Sequence, residues 1–88
     1  MPNFSRSKLV RFSIFSYSTE HLVKKDKVRF FYALKGRNGK AGIVDNANVE
    51  QLGRAVLMVP ATNAGKVNDF LDSWHCKFSK REVFVEHG

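Results

Sequence analysis

Cysteine is almost absent from this chain of 88 residues, in which Cys76 stands alone. No disulfide can form within the chain, whereas small secreted domains usually carry several. Long apolar runs are missing too, since no stretch approaches the ~20 residues that span a bilayer. Behind the N-terminal charges there is no hydrophobic signal core. We therefore expect a soluble protein of the cytoplasm with no membrane partner.

Acidic residues are scarce in the first forty positions, where ten lysines and arginines face only Glu20 and Asp26. That segment carries a charge of +8 and residues 41–88 carry −1, which together make the net charge of +7. Such an asymmetry favours a polyanionic partner more strongly than a high isoelectric point does. A basic surface without a specific partner is the alternative.

Proline and glycine are also few, with two and six residues respectively, and they form no linker or low-complexity tract. Eight phenylalanines, two tyrosines and Trp74 supply material for a core. A chain of this length is the size of one domain. We expect a single domain over residues 1–88, with residues 1–7 as a candidate disordered N-terminal arm.

In the first half of the chain, apolar and polar residues alternate. The alternation predicts strands over 8–17 and 27–35, joined by a polar connection. The Asn38-Gly39 pair then favours a type I′ hairpin turn, because both residues tolerate positive φ. A third strand is expected over 40–44.

The second half is predicted to hold one long helix between two strands. Turn and cap residues at 45–48 precede a helical turn over 49–52. An apolar strand over 54–59 stops at Pro60, and the last strand covers 78–86. A helix from Thr62 or Asn63 to about His75 is indicated by apolar residues at i, i+3, i+4 and i+7, namely Val67, Phe70, Leu71 and Trp74.

This element order, β-β-β-short α-β-α-β, predicts the class of the fold. Hairpins combined with one amphipathic helix are typical of an α+β protein. We expect a small, mostly antiparallel sheet with the helix packed on one face.

Cations and aromatic residues share one predicted face of the first two strands. Cations neutralise phosphates, and aromatic rings stack unpaired bases at ~1–3 kcal/mol per base. In strand 8–17 this face holds Arg11, Ser13, Phe15 and Tyr17, opposite a core-facing set of Val10, Phe12 and Ile14. In strand 27–35 it holds Lys27, Arg29, Phe31, Ala33 and Lys35, opposite Val28, Phe30, Tyr32 and Leu34.

The mixture predicts binding of RNA or single-stranded DNA without catalysis. The turn residues Arg37, Asn38 and Lys40 would lie at the end of the sheet, where they could hold a phosphate backbone. The candidate binding residues are Arg11, Phe15, Tyr17, Lys24, Lys25, Lys27, Arg29, Phe31, Lys35, Arg37 and Lys40.

Two other functions stay open. The same aromatic face could be a protein-interaction or homo-oligomerisation surface, with the strand at 78–86 as an exposed edge for a homodimer. A small metal-independent ribonuclease could use His21 or His75 with nearby cations. No metal or other cofactor is expected, because no paired Cys/His spacing exists, and Cys76 fits a small core filler.

Overall fold

The computed structural model describes residues 8–37 and 39–87 and combines a four-stranded antiparallel sheet with helices. No helix in the described part of the chain is long and apolar enough to cross a membrane. A 3₁₀ turn at Ala61–Asn63 precedes the last helix. The elements are β1 (Lys8–Tyr17), α1 (Lys24–Lys35), β2 (Gly36–Arg37), β3 (Lys40–Ala41), α2 (Ile43–Asn46), β4 (Glu50–Gly53), β5 (Val56–Pro60), α3 (Ala64–Ser73) and β6 (Phe78–His87).

The strands of the sheet lie in the order β4-β5-β1-β6, with every neighbouring pair antiparallel. β1 and β6 are paired along their whole length, from Lys8 with His87 to Tyr17 with Phe78. β4 and β6 are therefore the two edges, and the α+β class with an antiparallel sheet is confirmed. The single domain over residues 1–88 stays a prediction, and the predicted arm at 1–7 lies outside the described residues.

One face of this sheet carries the core. Phe15 and Tyr17 of β1 and Leu57 and Val59 of β5 are buried on it. The helices cover this face with Phe30, Leu34, Val67 and Leu71. The predicted facing of β1 is therefore wrong, because Val10, Phe12 and Ile14 point to the opposite side and are only partly buried. Both sets of β1 side chains are apolar enough for a core, so only the position of the helices decides between them.

Residues 27–35 form the larger part of helix α1, so the strand predicted there is wrong. The two buried residues of this helix, Phe30 and Leu34, are four positions apart, which is the helical repeat. The consecutive aromatics Phe30, Phe31 and Tyr32 suit either period, which made alternation misleading. Lysine, arginine, alanine and leucine around them are good helix formers.

The middle of the chain also differs from the prediction. The third strand expected over 40–44 contracts to β3, which pairs with β2, while α2 begins at Ile43. The helical turn expected over 49–52 is wrong, because the chain forms edge strand β4 there, from Glu50 onward, beside β5. The short helix that the structure has in this region is α2, which ends at Asn46, and Asn48 follows it in the left-handed region at φ 59°. Asn38 of the predicted turn lies outside the described residues.

Four predicted elements are confirmed: β1, β5, α3 and β6. α3 ends in a Schellman motif, in which His75 takes the left-handed position at φ 56°. Its N–H donates to the Asp72 carbonyl at 2.9 Å, and the Cys76 N–H donates to the Leu71 carbonyl at 3.0 Å. Glycine is the usual residue at this position, so the histidine there costs stability.

Gly36 makes the return of the chain from α1 into β2 possible. Its φ of 92° and ψ of 163° lie in a region almost restricted to glycine. A Cβ at this position would also collide with the Lys40 carbonyl oxygen and the Gly42 nitrogen. The short hairpin beyond α1 therefore depends on a residue without a side chain.

We expect Gly36→Ala to lower the free energy of unfolding by more than ~1 kcal/mol. Gly65→Ala is the matched control, because a Cβ there meets nothing within 4 Å inside helix α3. This control should be neutral or stabilising by up to ~1 kcal/mol. Urea unfolding followed by circular dichroism measures both, and a Gly36→Ala variant as stable as the wild type would contradict the hairpin geometry.

Candidate nucleic-acid interface

Helix α1 presents a basic surface to solvent. Phe30 and Leu34 hold its inner side against the core, and the only acid of the helix, Asp26, is half-buried in the first turn. A carboxylate there interacts favourably with the helix dipole. The exposed residues of the helix are Lys24, Lys25, Val28, Arg29, Phe31, Tyr32 and Lys35. Cations and aromatic rings thus share one helical surface, which we call the basic face of α1.

Two of the cations lie over aromatic rings of this face. The Arg37 guanidinium carbon is 4.3 Å from the centroid of the Tyr32 ring. The Lys35 Nζ is 6.0 Å from the centroid of the Phe31 ring. Contacts at these distances contribute about 0.5–1 kcal/mol at exposed sites. They place positive charge next to the flat face of an aromatic ring.

A groove runs between α1 and the turn that joins β4 to β5. It consists of two depressions of about 450 and 470 Å³ that share Phe31 and Arg54. Lys35 lines the first and Lys27 the second. Phe31, 41 % exposed, therefore lies where the two depressions meet, and three cations line the depressions. Glu20, in the second depression, is the one acid among the groove-lining residues.

Phe15 and Tyr17 are buried, so their prediction as exposed rings beside the cations is wrong. Phe15 is fully buried and Tyr17 is 7 % exposed. Their rings lie against Phe78 and Phe30, at centroid distances of 5.6 and 5.5 Å. The aromatic sheet face proposed for nucleic acid, or alternatively for a protein partner, is in fact the inner side of the sheet.

The other predicted binding residues fall into two places. Arg11 lies in the first half of β1, where its Nη1 is 3.9 Å from Glu82 Oε1. The remaining cations are gathered by α1 and the β2–β3 hairpin, namely Lys24, Lys25, Lys27, Arg29, Lys35, Arg37 and Lys40. Phe31 keeps its predicted exposure beside them, on a helix instead of a strand.

Sequence reasoning missed Tyr32 and Arg54. Alternation assigned Tyr32 to the core, but in a helix it lies about 200° around the axis from buried Phe30. Helical periodicity applied to residues 24–35 would have found it. Arg54 belongs to the β4–β5 turn, and only the tertiary structure brings this turn to α1, so no local signal marks it.

The two histidines named for catalysis line one further cavity, of about 240 Å³, together with Ser18, Glu20 and Lys77. His21 Nε2 lies 2.8 Å from the Trp74 carbonyl oxygen. A carbonyl only accepts, so Nε2 carries the proton, and in the neutral ring Nδ1 is left as an acceptor. This cavity adjoins the groove, since Ser18 and Glu20 line both.

Cys76 does not have the character of a nucleophile. It is buried, and burial raises the pKa of its thiol, which disfavours the reactive thiolate. In the part of the chain that the structure describes, no three His, Cys, Asp or Glu side chains are grouped to hold a metal ion.

Comparisons of this chain with protein-family models, with curated proteins and with solved structures found no match.

Tyr17→Phe separates the buried position of this ring from a role in binding. The Tyr17 hydroxyl is buried without a hydrogen-bond partner among the described residues, and such a group costs about 1–3 kcal/mol. The variant should therefore unfold with a free energy about 1 kcal/mol higher and bind oligonucleotides as the wild type does. Weaker binding with unchanged stability would contradict the buried position.

The pH dependence of the same variant gives a second measurement. Burial, and to a smaller extent Cys76, raise the pKa of Tyr17. The unfolded chain thus loses the Tyr17 proton at a lower pH than the folded protein does. The contribution that Tyr17 makes to the free energy of unfolding therefore keeps its full value below about pH 9 and declines above the ordinary tyrosine pKa of about 10, where the unfolded chain is deprotonated first. Between about pH 9 and 11, Tyr17→Phe should lose less stability than the wild type.

Proposed function

We propose that this protein binds single-stranded nucleic acid, RNA or DNA, through the basic face of α1 and the adjoining groove, without catalysis. The observation that carries the proposal is the Phe31 ring, half-exposed at the centre of the groove between Lys27, Lys35 and Arg54. A base stacked on this ring would place its phosphates near the surrounding cations. The single buried cysteine is consistent with a reducing compartment, and we propose the cytoplasm.

The electrostatic part of the binding comes from α1 and the hairpin after it. Residues 24–37 contain six lysines and arginines and one acidic residue, Asp26. Each neutralised phosphate releases counterions, so the affinity should fall steeply with salt. This term does not depend on nucleotide sequence.

The groove favours a single strand over a duplex. In a duplex the bases are stacked on each other, whereas unpaired bases can turn outward and lie on an aromatic side chain. Phe31 is accessible from both depressions, so a ring could lie on it from the groove. Stacking on Phe31 would tolerate any base, because every base has a π face.

Lys25→Gln with Arg29→Gln tests the electrostatic part, since both residues are exposed on the basic face of α1. We expect weaker binding and a log–log salt slope that is about 1.4 lower, or 0.7 for each phosphate that is no longer neutralised. Fluorescence anisotropy with a labelled single-stranded oligonucleotide at increasing KCl measures both quantities. Lys66→Gln with Lys80→Gln is the control of equal charge, and an equal weakening there would show a response to net charge alone.

Phe31→Ala tests the stacking part. We expect a loss of about 1–3 kcal/mol in binding free energy, or roughly 5- to 150-fold in Kd, with the salt slope unchanged. Phe84→Ala is the control, because that ring is 65 % exposed on the distant part of β6. Wild-type affinity in Phe31→Ala would refute stacking in the groove, even if the variant with Lys25→Gln and Arg29→Gln binds more weakly than the wild type.

A second candidate function, metal-independent cleavage of RNA, is favoured by the cavity that His21 and His75 share with Lys77. In such a reaction one imidazole removes the 2′-hydroxyl proton and the other protonates the leaving 5′-oxygen, so that a 2′,3′-cyclic phosphate forms. The free Nδ1 of neutral His21 suits the first role. A cation such as Lys77 would stabilise the charge on the phosphate.

His75→Gly tests this second candidate without loss of the fold. Glycine suits the left-handed position of residue 75, so the variant should be more stable by about 1 kcal/mol. Labelled RNA incubated with the wild type in EDTA should be cleaved, and His75→Gly should not cleave it. An absence of cleavage by the wild type, or equal cleavage by the variant, ends the proposal, and a DNA oligonucleotide of the same sequence is the control substrate.

A further inference from the structure

The outer face of the sheet is apolar and carries none of the described helices. Every sheet residue that belongs to the buried core lies on the inner face, together with the residues of α1 and α3. The outer face holds β1 residues Val10, Phe12 and Ile14, β5 residues Val56 and Met58, and β6 residues Val83 and Val85. Val85 is 38 % exposed and the others are partly buried.

Strand register makes these side chains one continuous surface. Val10 lies opposite Val85, and Phe12 lies opposite Val83. Ile14 lies opposite Met58 on the other side of β1. An antiparallel sheet with one solvated face normally alternates apolar inward and polar outward. A contiguous apolar surface of this kind is typical of an interaction site.

Two opposite charges flank this surface in a single row across the sheet. Glu50 of β4 is paired with Met58, Met58 with Ile14, and Ile14 with Arg81 of β6. With strands about 4.8 Å apart, the two charged residues are separated by about 14 Å. They are therefore too distant to form an ion pair with each other, and the ion pair found within residues 8–37 and 39–87 joins Arg11 to Glu82 instead.

We propose that a second copy of this chain covers the outer face, about a two-fold axis that lies in the interface and runs parallel to the strands. Rotation about such an axis exchanges the two edges of the sheet. Glu50 of each copy then lies over the partner's Arg81, and Ile14 lies over the partner's Met58. The row Glu50–Met58–Ile14–Arg81 is thus complementary to itself, as an isologous interface requires.

The alternative two-fold axis, perpendicular to the strands, brings like charges together. It would place Glu50 over the partner's Glu50 and Arg81 over the partner's Arg81. Juxtaposed like charges oppose association, so the charge pattern selects the parallel axis. Sheets packed face to face are about 10 Å apart, a distance that glutamate and arginine side chains can bridge at the rim.

The apolar residues supply the affinity of this interface, and the charged pairs supply its orientation. Rim ion pairs contribute little on their own, whereas wrong pairings are penalised. The contact also leaves both copies of the basic face of α1 outward, because the helices occupy the inner face of each sheet. The dimer contact and the proposed nucleic-acid interface therefore use separate surfaces of the chain.

A charge-swap series followed by sedimentation equilibrium tests the proposal. The wild type should dimerise at micromolar concentrations, and Glu50→Arg or Arg81→Glu alone should raise the dimer Kd at least about 10-fold, because each replaces both attractions by repulsions. The double variant, Glu50→Arg with Arg81→Glu, should recover dimerisation. Lys80→Glu is the matched control, since Lys80 lies on the same strand but is paired with inward-facing Phe15.

The proposal is overturned if the wild type remains monomeric at about 100 µM, or if the double variant dimerises no better than the single ones. A dimer that Lys80→Glu weakens as much as Arg81→Glu also overturns it and would indicate pairing along the β6 edge. Circular dichroism of each variant verifies the fold. Oligonucleotide binding by monomeric Arg81→Glu, expected at wild-type affinity for each chain, keeps failure of the dimer distinct from failure of the proposed function.

Discussion

Phe30 is the contact on which the rest of this small structure depends. Its ring, fully buried, lies 5.5 Å from Tyr17 of β1, 5.3 Å from Phe70 of α3 and 5.6 Å from Trp74, measured between ring centroids. These tilted and edge-to-face pairs join the sheet to both long helices. Phe30 also touches its neighbour Phe31, at 5.9 Å. The ring that anchors α1 in the core thereby supports the ring exposed in the groove.

Only a narrow side of α1 is buried, and this affects the charge of its exposed surface. Because only Phe30 and Leu34 of α1 are fully inside, most of the helix circumference is left for exposed residues, and most of these are cations. Such charges at i, i+3 and i+4 repel each other, and Asp26 offsets only a part. A bound polyanion would relieve this repulsion and stabilise the folded chain by mass action. The repulsion between the cations of α1 thus lowers the stability of the free chain, and the same cations would attract the phosphates of a bound polyanion.

The sheet separates two surfaces of opposite character. Its inner face holds the core and, beyond it, the basic helix, whereas its outer face is apolar with Glu50 and Arg81 at its two edges. A surface of the first kind suits a charged polymer, and one of the second kind suits another apolar sheet. The two proposals arise from different sides of the molecule and use different residues.

Reading the residues alone was enough to predict the α+β class, the strands at 8–17, 54–59 and 78–86, the helix over Val67 to Trp74 and the concentration of cations before residue 41. These features follow from local periodicity and composition, which do not depend on residues that are distant along the chain.

Three further features depend on tertiary contacts, because each requires a surface formed by another part of the chain. Residues 27–35 are helical, and Phe30 and Leu34 of this helix pack into the core. The Phe-Phe-Tyr run by itself is compatible with the repeat of a helix or of a strand. β1 turned Phe15 and Tyr17 inward, although Phe12 and Ile14 could have filled a core equally well. Arg54 joined Phe31 because the β4–β5 turn packs beside α1, a contact between residues more than twenty positions apart that no local pattern encodes.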